Sequence, residues 1–358
     1  MSIKKGKKGV LLVNLGTPDS PQIYDVRKYL REFLLDERVI DINSLGRWLL
    51  VNLIIAPFRA PKSAKIYKEL WEERGSPLLF YSEDVAEMLQ TSLGQEYSVK
   101  LAMRYQSPSI EAAMESLQKE AVESILVVPL FPQYASATTG SVIQKVTDIT
   151  ATWQTIPSLS FISNFVNEDL FIRAHATIAK PYLEAEEWDH VIFSYHGVPE
   201  SQIYKGSVND YCKIGDCCST YHKQNYYCYR AQCFQTSRLL AAALGISEDN
   251  YSVTFQSRLG KDPWVKPYTD VVIKDMPARG IKRVLAFSPS FVSDCLETTI
   301  EVGEEFKEIF EENGGERWQL VPSLNNHPEW IRCLDHMVRK DHKETSSVSV
   351  PNKVVGEQ

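Results

Sequence analysis

The chain holds no apolar run long enough to cross a bilayer. Its longest, Trp48 to Phe58, is interrupted by Asn52 and Pro57 and falls short of the roughly 20 residues a spanning helix needs. Dinucleotide-binding glycines are missing as well. Gly16-Thr17-Pro18 follows the first apolar run but lacks the spaced glycines that let a backbone approach pyrophosphate. With no P-loop either, a nicotinamide enzyme is disfavoured. Positive charge is in short supply: 39 Lys and Arg stand against 46 Asp and Glu, a formal net charge of −7. A general nucleic-acid partner is therefore not expected. The basic start, Lys4-Lys5-Gly6-Lys7-Lys8, runs into strand-like sequence at Val10, which leaves no room for the apolar core of a signal peptide. A cytoplasmic protein is the expectation. There, seven cysteines point to metal or redox chemistry rather than disulfides.

What is present is a repeated plan. Short runs rich in β-branched residues recur at Val10–Asn14, Val99–Tyr105, Ile125–Pro129 and Thr152–Pro157, then at His190–Tyr195, Tyr251–Gln256, Arg283–Phe287 and Trp318–Val321. Most do not alternate apolar with polar, which is how parallel strands buried on both faces read. Helical patterns such as Ile110–Glu120, Phe171–Glu184 and Gln235–Leu244 lie between them. This predicts an α/β protein of two similar doubly wound domains, each a mainly parallel four-stranded sheet flanked by helices. The expected spans are 8–165 and 166–335, with a disordered polar tail over 341–358.

His196 ends the apolar run Val191–Tyr195, just before Gly197 and Pro199. A buried strand thus delivers an imidazole to the carboxyl edge of a sheet, where ligands of such folds bind. Imidazole titrates near neutral pH and binds metals; a packing or capping role is the competing reading. Asp294, Glu297 and Glu301 are spaced to share one helix face. Their mutual repulsion would be offset by a cation, although Asp294 and Glu297 also form a helix-capping pattern. Glu304, Glu305 and Glu308 roughly continue the face, or are simply solvated surface. In the first half, Pro132–Ser141 offers Tyr134 and hydroxyls that suit a flat ligand or a plain turn. Arg104-Tyr105 ends a strand, in position to meet an anionic substituent. Trp264 reads as a stacking surface or as core. The 45–58 segment is too apolar for a solvated loop. It suits either core or a lip for a greasy substrate or a membrane surface.

Five of the seven cysteines, Cys212, Cys217, Cys218, Cys228 and Cys233, fall within the 207–233 stretch. Four thiolates suffice for a [2Fe–2S] cluster or a structural zinc. The two C-x₄-C units select Cys212, Cys217, Cys228 and Cys233, with Cys218 as a possible substitute.

These motifs together resemble the ferrochelatases, from about Val10 to about Pro328. The carrying segments are Leu12–Pro18, Arg74-Gly75-Ser76-Pro77-Leu78, Met103-Arg104-Tyr105, Phe131–Tyr134 with Thr138-Thr139-Gly140, Ser194–Pro199, Phe255–Arg258 with Pro263-Trp264, and Phe291–Thr298. The resemblance implies two Rossmann-like, chelatase-type domains and insertion of Fe²⁺ into protoporphyrin IX, the last step of haem synthesis. It places His196 and Glu297 at the iron and porphyrin centre, with Asp294 and Glu301 as relay residues. Leu15, Ser76, Arg104, Tyr105, Tyr134, Thr138 and Trp264 become candidate porphyrin contacts. Some members have histidine two residues before the glutamate; here that residue is Cys295, a form that looks like Gram-negative members. Some members also carry a [2Fe–2S] cluster. The animal ligand set does not transfer, because Ser136 stands in the Tyr134 loop and a C-terminal cysteine group is missing. Alternatives are a chelatase for coproporphyrin or cobalt, and a non-catalytic haem or iron–sulfur protein. Oligomeric state is not legible.

Overall fold

A computed structural model describes residues 6–258, 260 and 262–346. Its frame is two four-stranded sheets with the same strand plan. The first holds β1 (Lys8–Gly16), β2 (Tyr97–Tyr105), β3 (Ser124–Pro129) and β4 (Ser158–Phe161), in the order β2-β1-β3-β4. The second holds β5 (His190–His196), β6 (Tyr251–Gln256), β7 (Arg283–Phe287) and β8 (Arg317–Leu320), in the order β6-β5-β7-β8. Every pairing is parallel. In each sheet the chain reverses direction between its first and third strands. That point is where open α/β sheets open a crevice at their carboxyl ends.

The apolar runs form strands because both faces are covered. Leu11, Val13, Ile125 and Val127 point to one cluster, while Val10, Leu12, Leu126 and Val128 point to another. The second of these also holds Val191, Phe193, Tyr195, Leu285 and Phe287 from the other sheet, so the sheets share one continuous core. Close approach at β1 demands glycine. Gly16 has φ +114°, and a Cβ there would lie 2.0 Å from Tyr105 O.

Three expectations need correction. Thr152–Pro157 is not a strand; the residues that pair with β3 are Ser158–Phe161. Thr152 and Trp153 instead close the preceding helix by bonding back to Ile149 and Thr150. The supposed tail begins as helix: Pro328–Ser346 continues past Lys340. Asp341 accepts from Ser160 Oγ at 2.9 Å, and His342 lies buried against the Tyr97 ring. Residues 347–358 lie outside the described residues. The helix expected from Gln235 starts at Tyr229, so Cys233 sits inside it rather than in a loop.

The Pro328–Ser346 helix packs on both halves. Trp330, fully buried, meets Phe165 and Phe171 at ring distances of 5.7 and 6.3 Å. Farther along, Arg339 Nη2 donates to Ser92 O at 3.0 Å, on the helix Pro77–Leu93 of the first half.

Candidate active site

His196 is the last residue of β5, beside the reversal point of the second sheet. Its Nδ1 lies 2.6 Å from Gly197 O. A carbonyl only accepts, so Nδ1 carries the proton and Nε2 keeps its lone pair in the neutral ring. The ring faces Trp264 and Phe291, with centroids at 6.4 and 6.5 Å. Trp264 is held there by a bridge to Pro199 and by Val265 N–H donating to Val198 O. It is half-buried and turned toward the histidine.

The acidic segment differs from the expected α-helical face. Leu296–Glu305 winds as a π-helix, and its cap is Cys295 with Thr298. Asp294 therefore precedes the helix and does not share a face with the glutamates. Its carboxylate accepts from Asn325 Nδ2 at 2.7 Å, Ser323 N–H at 3.1 Å and Thr298 Oγ1 at 3.3 Å. These bonds anchor the loop after β8, a structural task in place of the expected relay. Glu304, Glu305 and Glu308 are exposed, which is the solvated-surface reading.

Glu297 and Glu301 remain on the helix, and its other side anchors it. Ile300 and Leu296 pack among Tyr29, Leu30, Ala60 and Tyr67 of the first half. Glu301 Oε2 accepts from Gln256 Nε2 at 3.0 Å and from the Ser257 hydroxyl. Gln256 Nε2 also donates to Glu297 O at 2.8 Å, and Gln256 Oε1 accepts from Ser194 Oγ at 2.7 Å. Ser257 holds φ +62°, a left-handed conformation that a side chain adopts only where its surroundings enforce it. Burial pushes the Glu301 carboxyl above its usual range, against the Ser257 bond that pulls it down. Glu301 is thus a half-buried carboxyl whose charged form is disfavoured by its surroundings.

The remaining candidates divide between an outer wall and its support. Arg104 Nη2 is bound by Asp36 Oδ2 at 2.6 Å, and its Nε donates to Ser141 Oγ at 2.6 Å. Tyr105, fully buried, donates to the same Asp36 oxygen at 2.9 Å. Asp36, which sequence reasoning missed, is the centre of this group. Ser76 is buried and accepts from Thr17 Oγ1 at 2.9 Å. Leu15 packs at the edge of the Tyr29–Tyr67 cluster. Thr138 Oγ1 donates to Ala135 O at 3.4 Å, the turn chemistry its sequence allowed. Tyr134 meets the Tyr227 ring at 5.3 Å. With Arg38, Ser136, Gln202 and Cys228 it lines a cavity of about 460 Å³ between the two halves.

The 45–58 segment is an apolar lip anchored in the core by Val51 and Ala56, both fully buried. It runs through the helix Ser44–Leu49 and the π-helix Leu50–Ile55 into the helix Ala56–Leu70. Leu45, Trp48, Leu53, Ile54 and Phe58 are exposed, Phe58 by 79%. Among the described residues, no helix is long and apolar enough to cross a membrane.

Four thiols come together in the cysteine stretch. Cys217 and Cys218 Sγ lie 4.0 Å apart, with Cys212 beside Cys217 and Cys228 beside Cys218, all as free thiols. Backbone N–H groups of Lys213 and Ile214 donate to Cys217 and Cys212 Sγ, each at 3.4 Å. The adjacent Cys218 thiol lowers the Cys228 thiol. Cys233 is instead buried in the core beside Tyr229. Among the described residues, no three His, Cys, Asp or Glu side chains are gathered as ligands of one metal ion. This applies to the expected set of His196, Glu297, Asp294 and Glu301 as well.

Residues 7–342 match the family model for ferrochelatase. The chain belongs to the ferrochelatase family. It is 46% identical over 334 residues to the ferrochelatase of Legionella pneumophila strain Paris, covering 93% of this chain and 99% of that one. It is 42% identical over 346 residues to the ferrochelatase of Coxiella burnetii strain Dugway 5J108-111, covering 95% and 96%. Among solved structures, the SirB protein of Bacillus subtilis with Fe³⁺ aligns with a TM-score of 0.55 at 11% identity, over 96% of this chain and 98% of that one. The sirohydrochlorin chelatase SirB of Bacillus subtilis subspecies spizizenii aligns with a TM-score of 0.52 at 10% identity, over the same shares. At such identities the likeness speaks for the Rossmann-like chelatase fold alone.

Proposed function

We propose that this chain inserts Fe²⁺ into protoporphyrin IX, forming protohaem and releasing two protons. Two pyrrole N–H bonds break, bonds from iron to the ring nitrogens form, and nothing is oxidised. The reading is carried by His196, whose Nε2 lone pair stands at the sheet edge on a chain of this family. His196 accepts pyrrole protons, since a neutral imidazole is the side chain suited to that task near neutral pH. Glu301, held to Gln256 and Ser257, passes protons onward. Glu297, whose carboxylate neighbours the buried Cys295 thiol, supplies an oxygen to the incoming Fe²⁺, an ion content with N and O donors. Trp264 and Tyr134 offer ring faces to the flat macrocycle. The exposed lip suits an apolar porphyrin and contact with a membrane surface, and its greasiness favours protoporphyrin over the more carboxylated coproporphyrin. Turnover with Fe²⁺ tests this: protoporphyrin should be metallated faster than coproporphyrin. The reverse order, or binding without turnover, would overturn it.

A [2Fe–2S] cluster in the cysteine stretch fits the donor set. Four thiols and two N–H···S bonds are the chemistry such clusters use. Cys212, Cys217, Cys218 and Cys228 would hold it, in place of the set containing Cys233, whose thiol is turned into the core. The cluster would supply an electron-accepting centre, and no step of metal insertion runs through it. Anaerobically purified protein should absorb in the visible region and contain acid-labile sulfide. Cys218→Ser should lose both, and Cys233→Ser should keep them. Zinc without sulfide would refute the cluster.

A further inference from the structure

Tyr229 opens its helix directly after Cys228, and its ring is buried. Its hydroxyl donates to His196 O at 2.7 Å. That oxygen belongs to the peptide joining His196 to Gly197. At the other side of the same peptide, Gly197 N–H donates to Gln256 O at 2.7 Å. One peptide plane is therefore held from both sides. Its orientation sets where the following carbonyl, Gly197 O, points, and that carbonyl is the acceptor that fixes the proton on His196 Nδ1. The packing leaves no slack: a Cβ on Gly197 would lie 2.9 Å from Gln256 O and 3.1 Å from Trp264 Cε3. Burial raises the Tyr229 phenol well above its ordinary range, so it stays a donor.

Tyr229 also touches the cysteine stretch. Cys228 precedes it in the chain and lies beside the Cys218 thiol. Cys233, one turn later, is buried beside Tyr229 in the same core cluster. A single peptide bond at the helix start thus joins the phenol to the thiol at 228.

We propose that Tyr229 is a positioning residue that fixes the His196–Gly197 peptide, and with it the Nδ1–H form of His196, and that it transmits the state of the cysteine loop to that histidine. The inference rests on His196 being the proton acceptor, and its test reads the two separately. Histidine ¹⁵N NMR on the whole protein reports the tautomer, and the His196 signals are assigned by their loss in His196→Ala. In Tyr229→Phe the Nδ1–H population should fall by about half or more. The kcat should drop about tenfold, as small misplacements of reacting groups do, while the porphyrin KM stays within about twofold. Cys218→Ser should shift the His196 signals in the wild-type background and leave them unmoved in Tyr229→Phe. A folded Tyr229→Phe protein with the wild-type tautomer and kcat overturns the positioning role. A Cys218→Ser shift that persists without the hydroxyl overturns the transmission. Should Tyr229→Phe not fold, fluorotyrosine at 229 keeps the shape and alters only donor strength; unmoved His196 signals there overturn the proposal. Loss of the catalytic reading would appear elsewhere, as activity surviving His196→Ala.

Discussion

Replacing His196 with alanine is expected to slow metal insertion by about 10²–10⁴-fold, the range a positioned proton acceptor contributes. The side chain is half-buried at the end of β5, and the strand's backbone ladder to β6 does not depend on it. Tyr229 still finds the His196 carbonyl, because that bond is to the backbone. The loss should therefore fall on kcat, with an unchanged circular dichroism spectrum and thermal midpoint. Steady-state rates with Fe²⁺ and protoporphyrin, beside a melt of the same preparation, check both halves of the statement. A rate within about threefold of wild type would remove His196 from the chemistry.

Trp330→Ala is expected to cost about 3–5 kcal/mol of stability, as deletion of a fully buried large ring does when the site cannot collapse. The ring packs against the touching pair Phe165 and Phe171 at the start of the Pro328–Ser346 helix. Its removal leaves a cavity where that helix meets the helix Asp169–Ala185. The effect is read as a lower urea midpoint with an unchanged slope. The active-site hydrogen bonds of His196 and Glu301 involve none of these residues, so the surviving folded fraction should keep its rate. A midpoint equal to that of wild type would show that the ring does not anchor the helix.

The sheets were legible because burial on both faces writes itself as unbroken apolar runs, as in Val191–Tyr195. His196 was legible for the same reason, since a strand's end is marked by the glycine and proline that follow. Thr152–Pro157 misled because its threonines and Ile156 carry strand composition without a partner; Ile156 is in fact exposed. The acidic helix misled because its spacing was judged against 3.6 residues per turn, whereas Leu296–Glu305 is wound as a π-helix. The tasks of Asp294 and Tyr229 were hidden for another reason. Their partners, Asn325 and His196, lie 31 and 33 residues away, and no local pattern encodes such a pairing. Gln256 and Ser257 stood inside a quoted motif, yet only the fold shows that their side chains turn toward Glu301.

The last helix has a consequence for how the chain comes into being. Synthesis delivers the first sheet long before residues 328–346, and early segments generally fold as they emerge. Yet the surface around Ser92 and Tyr97 is covered in part by Asp335, Arg339 and His342. The first sheet therefore leaves the ribosome without part of its cover and waits for residues 328–346 to supply it. Nascent chains stalled before Pro328 should expose that surface to chaperones, and release of the full chain should end the exposure.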